Sequence, residues 1–156
     1  MRDRKRGEKP PGLRIRGEGQ PGLRMRVGRE ARRLSNQHRQ LDVFYEMLLK
    51  SLFRENVAKA RAEFLRFHDA LEAHFTVEER IHFPALHGLR PALDPDLAAL
   101  VEEHKRFRAT LEHLAKLLED KELARCSDHL DHFVVELAAH EGREERIAEG
   151  VAGDLG

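Results

Sequence analysis

The sequence has no tryptophan, one tyrosine, one cysteine and no long apolar run. Without a run of about 18 apolar residues, we expect no membrane-spanning helix. The charged N-terminus is not followed by the apolar segment of a secretory signal peptide. The single thiol, Cys126, cannot form an internal disulfide, which fits a reducing compartment. We therefore expect a cytoplasmic protein, in which Cys126 is a buried or unused thiol rather than a nucleophile.

Charge is abundant, but its sign is unevenly distributed along the chain. Residues 1–33 contain 12 Lys or Arg against four Asp or Glu, whereas the remaining residues contain 16 against 24. The first stretch also lacks apolar periodicity, and its residues 11–16 nearly repeat at 21–26. Such a segment buries too little apolar surface to offset the entropy lost on ordering. We predict a disordered basic tail over 1–33 without a function of its own, although its charge leaves contact with nucleic acid or an anionic membrane open.

Helical periodicity begins near Ala31 and continues through the rest of the chain. Apolar residues recur at spacings of three, four and seven, as in amphipathic helices, and strand signals are absent. One clear break, rich in proline and glycine, runs from Pro84 to Pro95. Two further turns, without glycine or proline, are placed near Glu55–Asn56 and Asp120–Lys121. The sequence thus predicts four helices in one all-α domain over residues 34–150.

The sequence matches itself when it is shifted by 66 residues. Several apolar positions of the helical stripes coincide under this shift, and so do polar residues that no core requires. The coinciding polar residues are His38 with His104, His74 with His140, Glu78 with Glu144, and Glu79 with Glu145. A repeat of this length indicates a duplicated unit. We therefore predict an antiparallel four-helix bundle built from two αα-hairpin repeats.

The repeated histidines and glutamates stand in positions that suit metal binding. A histidine and a glutamate four residues apart lie on one helix face, and both such pairs border an apolar stripe. Burying an unpaired carboxylate in such a place costs free energy. Two cations, bridged by the two carboxylates and bound by the four imidazoles, would compensate the buried charge. Mixed nitrogen and oxygen ligands suit iron, manganese or zinc, and we favour two non-haem iron ions. The predicted metal ligands are His38, His74, Glu78, His104, His140 and Glu144.

This pattern resembles the HHE cation-binding domain of the hemerythrin-like family. The resemblance rests on the spacing of the six residues and on the segment His74-Phe75-x-x-Glu78-Glu79-x-x-x-Phe83-Pro84-x-Leu86. It covers about residues 34–150, nearly all of the predicted domain. The resemblance implies a di-iron site in which Glu78 and Glu144 bridge the ions and the four histidines are terminal ligands.

Two departures separate the chain from the oxygen-carrying hemerythrins. Those carriers have a second histidine four residues after the third-helix histidine, where this chain has Arg108. They also have an aspartate five residues after the fourth-helix histidine, where this chain has Glu145. The sequence therefore does not identify a fifth histidine ligand. Whether Asp42 or Glu145 coordinates a metal ion stays open. The resemblance implies binding of, or reaction with, O₂, NO or peroxide, in sensing, detoxification or iron handling.

Two alternatives of other classes remain open at this point. A ferritin-like iron oxidase or store needs two Glu-x-x-His units, and only Glu79-x-x-His82 fits, since position 148 is alanine. A metal-free helical interaction module would bind no metal at all. We interpret His82 as a loop-edge histidine rather than an extra ligand, and Tyr45 as a core aromatic. The remaining histidines are interpreted as surface or structural residues: His68, His87, His113, His129 and His132.

Overall fold

A computed structural model describes residues 20–154, and every element in that range is helical, as predicted. In chain order the elements are α1 (Gln20–Phe53), α2 (Val57–Val77), a π-helical turn (Glu78–His82), α3 (Phe83–Leu89), a 3-10 turn (Pro91–Leu93), α4 (Asp94–Glu119) and α5 (Leu123–Asp154). Four of these helices are long and together form the body of the domain. No helix in the described range has the length and apolar character that crossing a membrane requires.

The four long helices pack around one apolar core, consistent with a four-helix bundle. Helix α1 lies against α2 and α5, and α4 likewise lies against α2 and α5. Aromatic rings interlock at the centre, where Phe67 and Phe133 meet edge to face with ring centroids 6.2 Å apart. Phe107 meets Phe133 in the same way at 5.6 Å. Burying each such side chain stabilises the fold by about 1.5–3 kcal/mol, so the core fixes the positions of the helices that carry the polar residues.

The two turns that lack glycine lie where the sequence predicts them. They occupy residues 54–56, between α1 and α2, and 120–122, between α4 and α5. Each turn contains a left-handed residue that is not glycine, Glu55 with φ 55° and Lys121 with φ 57°. Asn56 then caps α2 by accepting a hydrogen bond of 3.1 Å from the backbone N–H of Lys59. Glu55 and Lys121 are themselves related by the 66-residue shift.

The segment from Pro84 to Pro95 is not the open break that the sequence predicts. Most of it is helical, because α3 follows the π turn directly and a 3-10 turn leads into α4. Pro84 stands in the first turn of α3, where a missing N–H is tolerated. The segment packs as a second, smaller core at one end of the bundle. That core consists of Phe83, Ala85, Leu86, Leu93, Leu97, Leu100 and Val151.

Helix α1 begins at Gln20, inside the stretch that the sequence analysis assigns to a tail. Residues 1–19, which include the first copy of the near-repeat, lie outside the described residues. Among the described side chains of α1, those of Arg29, Arg32 and Arg33 are exposed, and Leu34 is the first that is buried. The packed part of α1 thus starts at the predicted domain boundary, although residues 20–33 are helical, and disorder stays a prediction for residues 1–19.

Candidate metal centre

The six residues predicted as ligands come together inside the bundle from all four long helices and the π turn. Five of them are almost fully buried, and the side chain of His38 is 13% exposed. They are His38 on α1, His74 on α2, Glu78 in the π turn, His104 on α4, and His140 and Glu144 on α5. The apolar residues that flank them belong to the core, so helix packing alone brings these polar groups together.

The four imidazoles meet as two pairs through their Nε2 atoms. Nε2 of His38 lies 3.1 Å from Nε2 of His74. Nε2 of His104 lies 3.0 Å from Nε2 of His140. Two nitrogens on adjacent corners of a coordination sphere, each about 2.1 Å from the ion, are separated by about 3.0 Å. Each pair therefore has the spacing of two ligands on one metal ion.

The carboxylates of Glu78 and Glu144 lie beside these imidazole pairs. Oε1 of Glu78 is 2.6 Å from Nε2 of His74, and Oε2 of Glu78 is 3.8 Å from Nε2 of His104. Oε1 of Glu144 contacts Nε2 of His140 and lies 3.8 Å from Nε2 of His104. Glu78 thus reaches from one histidine pair to the other, which is the geometry that a bridging carboxylate needs.

Burial disfavours the ionised form of the carboxylates in this cluster. Both oxygens of Glu78 and of Glu144 are buried, and none has a hydrogen bond of ordinary geometry in the described range, although imidazole nitrogens and the other carboxylate lie in contact with them. Burial raises the pKa of Glu78 to about 8, and burial together with the neighbouring Glu78 raises the pKa of Glu144. Burial also lowers the pKa of His74 to about 4. Uncompensated buried carboxylates are costly, so these residues fit a cation that binds between them.

Two polar residues that sequence reasoning missed orient the imidazoles from outside. Oε1 of Gln37 lies 2.8 Å from Nδ1 of His74. Oε1 of Glu103 lies 3.5 Å from Nδ1 of His140. Each of these acceptors directly precedes the lone histidine of its half, so the 66-residue shift relates them and would have found them. An acceptor at Nδ1 favours the tautomer whose Nε2 lone pair points inward, as a metal ligand requires.

The second glutamate of each Glu-Glu pair approaches the outer nitrogen of a lone histidine. Oε1 of Glu79 lies 3.5 Å from Nδ1 of His104. Oε1 of Glu145 lies 3.6 Å from Nδ1 of His38. Although burial raises it, the pKa of Glu79 is lowered overall by the hydrogen bonds and the charge of Arg108. Glu79 and Glu145 therefore lie outside the cluster of Nε2 atoms. Each could orient the histidine whose Nδ1 atom it faces.

The π-helical turn places His82 in the interior, contrary to its interpretation as a loop-edge residue. Its side chain is 1% exposed, and its buried Nδ1 has no hydrogen-bond partner among the described residues. Because the π turn continues the helix from α2 into α3, His82 follows Glu78 by about one turn and stays in the interior. Burial lowers its pKa to about 4, Glu144 opposes this shift, and nearby His74 and His38 add to it.

Glu141 is another residue of the site that sequence reasoning missed. Its Oε1 lies 3.8 Å from Nε2 of His38. Glu141, His38 and His74 each offer a ligand atom within 4.8 Å of the other two, as Glu78, His104, His140 and Glu144 do in the other half. Burial, followed by the charges of Glu144 and Asp42, raises the pKa of Glu141 to about 8. No sequence signal marked this residue, because its counterpart under the shift is phenylalanine.

The other residues considered from the sequence take no part in the ligand clusters. Asp42 is exposed. The hydroxyl of Tyr45 donates a hydrogen bond of 3.2 Å to Oδ1 of Asp131 on α5, and Tyr45 packs against the core. Cys126 is buried, and burial raises its pKa to about 11, which fits an unreactive thiol. Apart from the buried His82, the histidines outside the clusters are His68, His87, His113, His129 and His132.

Comparison with known proteins agrees with this arrangement. A family model, described as the hemerythrin HHE cation binding domain, matches residues 30–151 of the chain. The matched range includes all six predicted ligands, together with His82 and Glu141. No curated protein and no solved structure matches the chain.

Proposed function

The chain belongs to the hemerythrin HHE cation-binding domain family, and from this premise we propose that it is a non-haem di-iron protein that binds or reacts with O₂, NO or peroxide. One observation carries the proposal. Four imidazole Nε2 atoms converge on two buried carboxylates whose oxygens accept no hydrogen bond in the described part of the chain. Nitrogen-rich sites with carboxylates and open positions suit non-haem iron.

The proposed ligand arrangement follows the two imidazole pairs. His38 and His74 would hold one ion, and His104 and His140 would hold the other. Glu78 would bridge the ions, because its two oxygens face histidines of different pairs. Glu144 would be the second bridge, on the strength of its burial beside Nε2 of His140 and its place in the repeat.

We also propose that the bundle is antiparallel and consists of two hairpin repeats, α1–α2 and α4–α5. Three matched features support this. The left-handed turn residues are 66 positions apart, the two Nε2 pairs have nearly equal separations, and the supporting acceptors Gln37 and Glu103 are related by the same shift. A duplicated hairpin explains why the site has two similar halves.

The two metal ions and the protein side chains would have different roles in the reaction. Two bound ferrous ions would supply electrons and a free coordination position for a diatomic ligand or peroxide. Gln37 accepts a hydrogen bond from Nδ1 of His74, which leaves the Nε2 lone pair of that ring to face inward, and Glu103 approaches Nδ1 of His140. Phe75 stacks on His104 with ring centroids 4.1 Å apart, and Phe107 packs edge-on against His140. These rings exclude water from that side of the centre and keep the dielectric low.

We also propose where the protein is located in the cell and that the basic stretch over 1–33 has no role in the metal centre. A cytoplasmic location is supported by the single cysteine, which is buried. The basic stretch over 1–33 is proposed to be dispensable for metal binding, because none of the described ligand clusters includes a residue from it. The proposed partner is therefore a small molecule, and neither a specific nucleic acid nor a membrane span forms part of the function.

Metal analysis of the purified protein tests the function directly. Protein loaded with ferrous iron without oxygen is expected to hold two irons per chain and to change its visible absorption on exposure to O₂, NO or peroxide. Accumulation of many irons per chain would favour a ferritin-like store instead. Failure to bind any metal, with unchanged melting temperature, would favour the metal-free interaction module.

A further inference from the structure

The two halves of the centre differ in the residues that surround them. Under the 66-residue shift, Glu141 corresponds to Phe75, and His82 corresponds to Ala148. Each of these polar side chains therefore occurs in one repeat only, His82 in the first and Glu141 in the second. The repeat that explains the six shared residues cannot explain the burial of two further groups with metal-binding side chains.

On the side of His38 and His74, Glu141 is the nearest additional donor. Its carboxylate, Nε2 of His38 and a ring nitrogen of His74 form a group of ligand atoms within 4.8 Å of one another. The Glu141 side chain is only 19% exposed, and the one described ion pair it forms is with His38. A carboxylate held among imidazole nitrogens at this range adds a negative charge to the ligand set, and ligand charge strengthens cation binding.

A second buried group without a counterpart in the repeat is His82. It is fully enclosed, yet one ring nitrogen has no hydrogen-bond partner among the described residues. His82 stands in the same π turn as Glu78, four residues further along, and both side chains are buried. Burying an imidazole whose ring nitrogen has no hydrogen-bond partner costs free energy. A metal ion bound by the ring would offset that cost.

On the side of His104 and His140, aromatic rings occupy the corresponding space. Phe75 and Phe83 lie parallel to the His104 ring, with centroids 4.1 and 5.8 Å away. Among the described residues, the ligand group on this side contains only the two histidines with Glu78 and Glu144. The nearby carboxylate of Glu79 faces the outer nitrogen of His104 and is held by Arg108, so it is not directed into the ligand group.

We propose that Glu141 and His82 complete the half of the centre formed by His38 and His74, and that this half binds a divalent cation first and more tightly. The opposite half, which gains no additional donor, would keep a position for a small ligand. This inference rests on the proposed function, because both halves must bind a metal for their affinities to differ. It also assigns the role of a fifth histidine to the π turn rather than to α4, where Arg108 stands.

Cobalt(II) titration of the metal-free protein, followed by visible absorption without oxygen, tests the inference. The wild-type chain is expected to fill one site at least ten-fold more tightly than the other. Glu141→Gln and His82→Gln should each weaken the tight site by ten-fold or more and leave the weak site unchanged. The matched controls are Glu149→Gln on α5 and His87→Gln on α3, both exposed, and neither should alter either affinity.

Single-half variants identify which site is the tight one. His104→Ala should retain the tight class, whereas His38→Ala should remove it, with circular dichroism confirming that each variant is helical. Two cobalt ions bound with equal affinity, or a tight class that survives in Glu141→Gln and His82→Gln, would overturn the inference while the paired-metal function stands. Absence of any bound cobalt would overturn the proposed function, and the inference with it.

Discussion

Gln37 of α1 accepts a hydrogen bond from His74 of α2, with 2.8 Å between Oε1 and Nδ1. In the other half, Oε1 of Glu103 approaches Nδ1 of His140 to 3.5 Å without forming a hydrogen bond. In both halves, the residue before the lone histidine therefore faces Nδ1 of the histidine that pairs with a glutamate. Acceptors of this kind fix the tautomer and the ring orientation of metal-binding imidazoles.

Replacing Gln37 by Leu is expected to weaken metal binding by about 10- to 100-fold, because His74 loses the acceptor that holds its tautomer. Gln37→Glu restores an acceptor and copies the other half, so it should bind metal at least as tightly as the wild type. Gln40→Leu, on the same helix but exposed, is the matched control. Metal affinities from titration decide the matter, and an unchanged affinity in Gln37→Leu would refute the role.

The two neighbouring glutamates of the π turn should differ sharply when each becomes glutamine. Glu78→Gln removes the buried anion that faces both imidazole pairs, so paired iron and the melting-temperature gain on metal binding should both disappear. Glu79→Gln keeps an acceptor oxygen near His104 and should retain two irons per chain. Iron content and melting temperature are the measurements. If Glu79→Gln loses iron while Glu78→Gln keeps it, the assignment of the bridging residue is wrong.

Glu144→Gln should reproduce the loss seen in Glu78→Gln, because its oxygens are also buried without a hydrogen-bond partner in the described range. Glu145→Gln provides the comparison, since Glu145 is more than half exposed and contacts only the outer nitrogen of His38. We expect the iron content of Glu145→Gln to stay near the wild-type value. Equal iron loss in both variants would show that the two glutamates of α5 act together.

The stability of the metal-free protein should fall as the pH rises from 6.5 to 8. The pKa values of Glu78 and Glu141 are raised from 4.5 to about 8 in the fold, so the unfolded chain ionises these groups while the folded chain keeps them protonated. The unfolded state then binds fewer protons, and the stability present at low pH is lost toward pH 8. The lowered pKa values of His74 and His82 act only below about 6.5.

Melting temperatures after chelation, measured at several pH values in this window, check the sign. Glu141→Gln should remove part of the dependence, whereas the exposed control Glu149→Gln should keep all of it. Bound metal holds both carboxylates ionised in the fold, so the metal-loaded protein should lose the downward trend. A melting temperature of the metal-free protein that rises over the same window would contradict the assigned pKa shifts.

Shortening the chain tests the predicted tail. A chain that begins at Met25 should match the full chain in iron content and should keep the helical signal of the folded domain. The reason is that Leu34 is the first buried side chain described on α1. Circular dichroism and iron analysis give both quantities. A large loss of iron in the shortened chain would show that the basic stretch supports the site.

The 66-residue shift predicted the residues that the two halves share, and only those. It found the six proposed ligands, because identical residues at identical offsets must fall at related places in a duplicated bundle. It could not find Glu141, whose counterpart is Phe75. The interpretation of His82 as a loop-edge residue was wrong, because the chain stays helical through the π turn and α3 where an open break was expected.

The Pro84–Pro95 segment shows a different limit of sequence reasoning. Proline and glycine mark the ends of regular helices, but the prolines here occupy first turns, where no N–H bond is lost. The segment therefore folds as α3 and a 3-10 turn, which complete the smaller core beside His82. Local composition predicted an interruption, whereas packing of Phe83 and Leu86 made most of it helical.

The low-temperature Mössbauer spectrum of protein loaded with isotopically enriched iron and then oxidised tests the central claim most directly. Two ions held by the imidazole pairs and bridged by Glu78 and Glu144 are expected to be magnetically coupled. All the iron, at two ions per chain, should then give the spectrum of a coupled pair. Glu78→Gln should lose this signal while the exposed control Glu149→Gln keeps it. A spectrum of isolated, uncoupled ions, or iron at one ion per chain or less, would contradict the account.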